Sequence, residues 1–282
     1  MIVDSKLPIQ TACNTLNMSR ACFYRWKNQK EMFDYNSDLK KQIQEIALEF
    51  PKYGYRRITK ELYRRNEPVN HKKVLRIMRE NNLLVKRKKF KPITTQSNHG
   101  LPLYPNKVKD LAVTRLNQVW VSDITYIHLP NEFVYLAAII DIFSRKCIGW
   151  NLGRNIDAKL AVGALNMAIR DRKDFGFHEL IHHSDRGVQY ASLDYVNRLK
   201  SESIQISMTE SGNPRENAFA ETFMKTLKVE EVYINEYKNF EDAYKNIKQF
   251  IEVVYNNKRL HSSIGYKPPI EFESEVLNIE VN

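Results

Sequence analysis

Apolar positions recur first with the helical period and then, from residue 119, in alternating or short continuous runs typical of strands. Near the start, Ile9, Ala12 and Leu16 form one stripe over residues 8–27. Asn17 and Met18 make a turn there, and Ser19 is placed to cap a second short helix running to Trp26. The spacing fits a helix-turn-helix and a simple helical hairpin equally. Leu39, Ile43, Ile46, Ala47 and Phe50 predict a helix over 38–50, which Pro51 stops. A helix near 56–65 follows, then a turn at Asn66, Glu67 and Pro68, then a helix from Val69 to Asn82. The last of these turns Val74, Leu75, Ile77 and Met78 inward and His71, Lys72, Lys73, Arg76 and Arg79 outward. From 86 to 118 neither period holds, and the Pro-containing polar stretch reads as a linker opened by Lys86 to Lys89.

Beyond it, Val119–Leu129, Phe133–Phe143 and Lys146–Leu152 read as three strands joined by short turns, an antiparallel meander. A helix over Asp157–Arg172, a strand Leu180–Ser184, a helix Ser192–Lys200 and a strand Ile204–Met208 come next. A helix from about Asn217 to Val229 and a long one near 240–256 complete the pass. The order β-β-β-α-β-α-β-α is that of the RNase H-like fold, an α/β class with a mixed sheet and flanking helices. The expected organisation is a helical segment at 1–35, a small α-helical helix-turn-helix domain at 36–90, a linker at 91–117, and an RNase H-like core with a C-terminal helix at 118–282.

Charge sharpens this division. The chain has 282 residues and a net charge of +11, yet residues 52–91 hold 15 basic and 3 acidic side chains, which leaves the remainder near neutral. Charge this concentrated, interleaved with aromatics, points to a polyanion such as nucleic acid, with Arg56, Arg57, Lys72, Lys73, Arg76 and Arg79 as candidate contacts. The bland alternative is a helical bundle with a solvated basic side. Three cysteines without a close pair indicate neither a zinc ribbon nor a disulfide framework and fit a reducing cytoplasm. No apolar run is long enough to span a membrane. The absence of a GxxxxGK[ST] loop speaks against an ATP-driven step.

Three carboxylates fall where this fold would bring them together. Asp123 lies in the first strand, Asp185 just past the fourth, and Glu221 in the helix after the last. Strand ends of an α/β sheet face a common crevice. Phosphodiester transfer needs an activated attacking oxygen and a stabilised leaving oxygen, and two divalent cations about 3.5–4 Å apart supply both. Hard ions such as Mg²⁺ take carboxylate ligands. On the Glu221 helix, Phe219, Phe223 and Leu227 form the expected buried stripe, with Asn217, Glu221, Lys225 and Lys228 opposite. Each carboxylate alone reads as a surface residue; the order and spacing together favour a site. Asp141 reads as structural, paired with Arg145, and His182 and His183 as packed or hydrogen-bonded histidines.

At these residues the sequence resembles the OrfB-type transposases of bacterial insertion sequences, in the DDE integrase superfamily. The matching stretches are Tyr53–Leu62, Val69–Val74, Trp120–Ile127, Ile140–Arg145, His183–Tyr190, Asn217–Lys228 and Tyr255–Tyr266. Matched residue by residue, the family's catalytic and metal-binding triad falls on Asp123, Asp185 and Glu221, and its DNA-facing lysine on Lys228. The resemblance implies cleavage at the element's ends to free a 3′-OH that attacks another phosphodiester. It also implies two Mg²⁺ or Mn²⁺ ions, a homo-multimer on paired DNA ends, and a bacterial, nucleoid-associated cytoplasmic setting. Relatives often join a leucine-zipper region from an upstream frame, so an upstream partner or fusion is also expected. Asn213–Glu216 departs from an aromatic-containing turn common in relatives. Competing readings are a non-catalytic DNA-binding regulator and a nuclease of the same fold that cuts without joining.

Overall fold

The computed structural model describes residues 8–85, 101–210 and 214–280. Lys86 to Lys89, the first part of the expected linker, and Asn213 of the departing turn lie outside the described residues. The chain divides into two units at Arg87 and Lys88.

In the first unit, α1 (Ile9–Thr15), α2 (Arg20–Glu49), α3 (Tyr55–Arg64) and α4 (His71–Glu80) follow one another. Ser19 caps α2 by accepting the Cys22 N–H, as its position predicts. Where the sequence predicts a short helix to Trp26 and a separate one at 38–50, a single 30-residue helix runs through both. Asparagines close three of the four helices. Asn17, Asn66 and Asn82 take φ of 51°, 61° and 56°. The next residue's N–H then reaches back to Cys13, Leu62 and Met78 carbonyls respectively, satisfying acceptors the helix leaves open. Leu39, Ile43, Ile46, Ile58, Leu62, Val74, Ile77 and Met78 are buried, and Phe50 stacks on Tyr53 at 4.4 Å.

The second unit is built on five strands: β1 (Val119–His128), β2 (Phe133–Asp141), β3 (Cys147–Gly153), β4 (Ile181–Ser184) and β5 (Gln205–Met208). Their order is β3-β2-β1-β4-β5, with the first three antiparallel and β1, β4 and β5 parallel. The helices are α5 (Ala158–Arg172), α6 (Val188–Ala191), α7 (Leu193–Ser201), α8 (Ala218–Leu227), α9 (Phe240–Gln249) and α10 (Pro269–Glu280). One sheet face packs on α5, α6 and α7 through Trp120, Ala137 and Ile139. The other packs on α8 and α9 through Val119, Val121, Ile127 and Leu136. This is the RNase H-like arrangement, with helices on both faces of a mixed sheet. Gly149 lets α5 sit close, since a Cβ there would lie 2.3 Å from the Ala164 carbonyl. Arg172 of α5, fully buried, pairs with Glu273 and so fastens α10.

Candidate active site

β1 and β4 run parallel with Val121 opposite His183. Continuing that register by two residues sets Asp123 beside Asp185, on strands spaced about 4.8 Å apart. Alternation along β1 gives Asp123 the parity of Val119, Val121 and Ile127, whose side chains pack with Phe223 and Leu227 of α8. Asp123 therefore faces the helix that carries Glu221.

Two side chains pin the start of that helix to β1 and β4. Asn217 donates from Nδ2 to the Ser122 carbonyl at 2.8 Å, next to Asp123. His183 donates from Nε2 to the Glu216 carbonyl at 3.1 Å, while its Nδ1 accepts from the Ser207 hydroxyl at 2.8 Å. That network fixes the tautomer. Burial pushes the His183 imidazole below its usual range, which keeps it neutral for this pattern. Buried His182 bonds Tyr195 at 2.8 Å, so both histidines are structural, as the sequence predicts. Asn217 is a positioning residue that the sequence does not reveal, and His183, expected to be hydrogen-bonded, joins it in that role through partners the sequence does not name. Both sit inside the matching stretches, but Asn217 reads there as part of an exposed helical face, whereas it is buried.

The face of α8 also needs correction. The buried residues are Ala220, Phe223, Met224 and Leu227. Phe219, expected inside, is 42% exposed and carries the Arg145 guanidinium 4.0 Å above its ring. Asp141 is buried and structural, but its carboxylate is held by the N–H groups of Asn117, Phe143 and Ser144 rather than by an ion pair with Arg145.

Electrostatics tie the carboxylates together. Asp123 is partly buried, and its carboxyl is pushed up to about 7, first by burial and then by the charge of Asp185. A bond from the Ile124 N–H and the charge of Lys228 oppose this, and Glu221 adds to it more weakly than Asp185 does. Glu221, exposed on α8, is raised by burial of its carboxyl. Asp185 takes the Gly187 N–H at 2.9 Å, and a Cβ at Gly187 would come within 3.0 Å of the same oxygen. Half-buried Lys228 lies with Nζ 4.4 Å over the Tyr126 ring; burial lowers its pKa and Asp123 opposes that shift. Lys225 is exposed on the same helix.

Among the described residues, no three carboxylate, histidine or cysteine groups stand close enough to enclose a metal ion as they are. The donor set nevertheless suits a hard divalent cation: all-oxygen groups, two of whose negative charges raise the proton affinity of Asp123, a cost that a cation would offset.

In the first unit, α4 buries Val74, Ile77 and Met78 and exposes Lys72, Arg76 and Arg79, with Lys73 half-buried. Arg76 lies 3.8 Å from Glu80. On α3, Arg56 and Arg57 sit over Tyr55 and Tyr53 at 5.7 and 5.5 Å.

Residues 113–214 and 202–269 match models of the integrase core domain, and residues 34–91 match a model of an HTH-like domain. The insertion element IS600 uncharacterized 31 kDa protein of Shigella sonnei is 33% identical, over 93% of this chain and 97% of that protein. The transposase InsF for insertion sequence IS3A of Escherichia coli (strain K12) is 32% identical, over 97% of this chain and 96% of that one. A solved simian T-cell lymphotropic virus intasome, in complex with PP2A regulatory subunit B56 gamma, is 15% identical with a TM-score of 0.47, covering 82% of this chain and 73% of that one. By its likeness to the two insertion-element proteins over nearly their whole length, the chain belongs to the insertion-sequence transposases of the IS3 type, DDE enzymes with an integrase core.

Proposed function

We propose that Asp123, Asp185 and Glu221 are the metal-binding catalytic triad of a DNA strand-transferase, which cleaves at the ends of its element and joins the freed 3′-OH to target DNA. The observation that supports this reading is that the charges of both Asp185 and Glu221 raise the proton affinity of Asp123, in keeping with a β1–β4 register that ends with Val121 opposite His183, two residues before each aspartate. The three carboxylates would hold Mg²⁺ or Mn²⁺, two ions in this reading, which activate the attacking oxygen and stabilise the leaving one when bound.

The chain's own residues do the rest. Asn217 and His183 hold the start of the Glu221 helix to β1, which bears Asp123, and to β4, which leads into Asp185, and would so support the triad. The charge of Lys228 is felt at Asp123, and from there it would position a DNA phosphate without taking a metal. Lys225 extends that charge along the helix. The basic face of residues 36–90, with Arg56, Arg57, Lys72, Lys73, Arg76 and Arg79, supplies phosphate contacts to the element's ends. Assembly as a homo-multimer on paired ends, an upstream-frame partner, and a cytoplasmic, nucleoid-associated setting belong to the same reading. No described helix is long and apolar enough to cross a membrane.

The test is substitution of the triad. Asp123→Asn, Asp185→Asn and Glu221→Gln should each abolish end cleavage in Mg²⁺ while gel-shift affinity for end DNA persists. Loss of both together would point to misfolding, and retained cleavage in any of the three would refute the triad.

A further inference from the structure

β4 pairs with β1 only from Val119 to Val121, while β1 and β2 stay in register out to His128 and Phe133. The end of this hairpin thus projects beyond β4. One of its faces is core: Ile127, Val134 and Leu136 are buried. On an antiparallel pair with one face in water, the opposite face is ordinarily polar. Here it carries rings instead. Tyr126 and Tyr135 are register partners, as are His128 and Phe133. Phe133 is 51% exposed and meets His128 and Tyr126 edge-on, with centroids 4.9 and 6.0 Å apart. Tyr126 is 37% exposed. Tyr233, 51% exposed just past the π-helical Lys228–Val232, lies near enough for its phenol to feel that of Tyr126.

Lys228 links this aromatic face to the candidate active site. The Lys228 ammonium sits over Tyr126, and its charge reaches Asp123. A cation at one end and exposed π-faces beyond it complement a nucleic-acid strand, whose phosphates are anionic and whose unpaired bases stack on aromatic rings. We infer that Tyr126, Phe133 and Tyr233 form a stacking platform for unpaired bases of a DNA strand whose phosphate is held at Lys228. The inference rests on the proposal that this site acts on DNA. It adds a place for the bases, which the carboxylates and Lys228 do not provide, and it binds them without reading their sequence. Cross-strand aromatic pairs also steady a hairpin, so the test must separate binding from folding.

The probes are three DNA duplexes of one sequence: blunt, with an unpaired 3′ overhang, and with the same overhang made abasic. The full chain, in Ca²⁺ to allow binding without turnover, should bind the overhang roughly tenfold more tightly than its abasic twin, the size of one stacked base. Phe133→Ala should collapse that ratio to about one, and Phe133→Trp should keep it, with thermal midpoints close to that of the wild type. A wild-type ratio near one, or a ratio that survives in Phe133→Ala, overturns the platform. So does a Phe133→Ala variant that loses DNA-free self-association in sedimentation, because the face would then be a contact between copies of this chain. Asp123→Asn should retain the preference. A preserved base preference in a wild-type chain that fails to join DNA would sink the strand-transfer reading and leave the platform standing.

Discussion

Replacing Asp123 by Asn should stabilise the metal-free fold at alkaline pH while removing its chemistry. The Asp123 carboxyl is pushed from an ordinary 3.8 to about 7 by burial and by Asp185. The folded state therefore holds this proton more tightly than the unfolded state. Between those two values stability falls as pH rises, and the loss is complete above about 7. A shift of this size corresponds to about 4 kcal/mol at pH 8 and only about 1 kcal/mol at pH 4.5. Asn keeps an oxygen for the Ile124 N–H, which Asp123 accepts at 2.9 Å, but carries no charge. The assay is urea unfolding in EDTA at both pH values, followed by the fluorescence of Trp120 and Trp150, both buried in this unit. Asp123→Asn should exceed the wild type by a few kcal/mol at pH 8, with most of that gap closing at pH 4.5. Mg²⁺ at pH 8 should raise the wild type and leave the variant where it is. Equal gaps at the two pH values, or a wild type more stable at pH 8, would refute the electrostatic account of this cluster.

Asn217→Ala should cost about 1–3 kcal/mol, because it leaves the buried Ser122 carbonyl without its 2.8 Å donor, and it should slow strand transfer beyond what the stability loss explains. Calorimetry alongside single-turnover rates would show it, and an unchanged rate would mean the anchor does not position Glu221. Neutralising Lys72, Lys73, Arg76 and Arg79 to Gln should flatten the salt dependence of end-DNA binding, since every phosphate left unneutralised lowers the counterion slope by about 0.9. An unchanged slope would show that this face meets no DNA. Lys228→Ala should lower the slope by about one unit and slow joining while Mn²⁺ affinity stays near that of the wild type; superimposable binding curves at several salt concentrations would show that Lys228 meets no phosphate.

Much of this architecture is legible in the sequence, and the rest is hidden for identifiable reasons. The strands are legible because their apolar runs end at clear turns, and β1, β2 and β3 fall within about two residues of the expected bounds. α2 reads as two helices because residues 27–37 are mostly polar, yet they contain neither Gly nor Pro to break it. Phe219 reads as buried because 219, 223 and 227 form a tidy i, i+4 stripe. The packed set 220, 223, 224 and 227 shares two of those positions and better follows the true period. The 3₁₀ turn Pro214–Asn217 resets the phase just before the helix, which takes Asn217 off the face of Glu221. α6, α10 and the π-helical Lys228–Val232 and Phe250–Tyr255 leave little signature in apolar periodicity, since packing decides them. The proposed triad rests on residue types in order; the Asn217 and His183 bonds beside it are not legible in that way, because they join residues far apart in sequence.

Joining itself is tested most directly with a labelled duplex that bears the terminal sequence flanking this gene and ends in a 3′-OH. Incubated with the full chain, Mg²⁺ and an unlabelled plasmid, the label should become covalently linked to plasmid DNA, and Asp123→Asn should yield none. Label that is only hydrolysed free, or plasmid linkage that persists in Asp123→Asn, would contradict a strand-transferase built on these carboxylates.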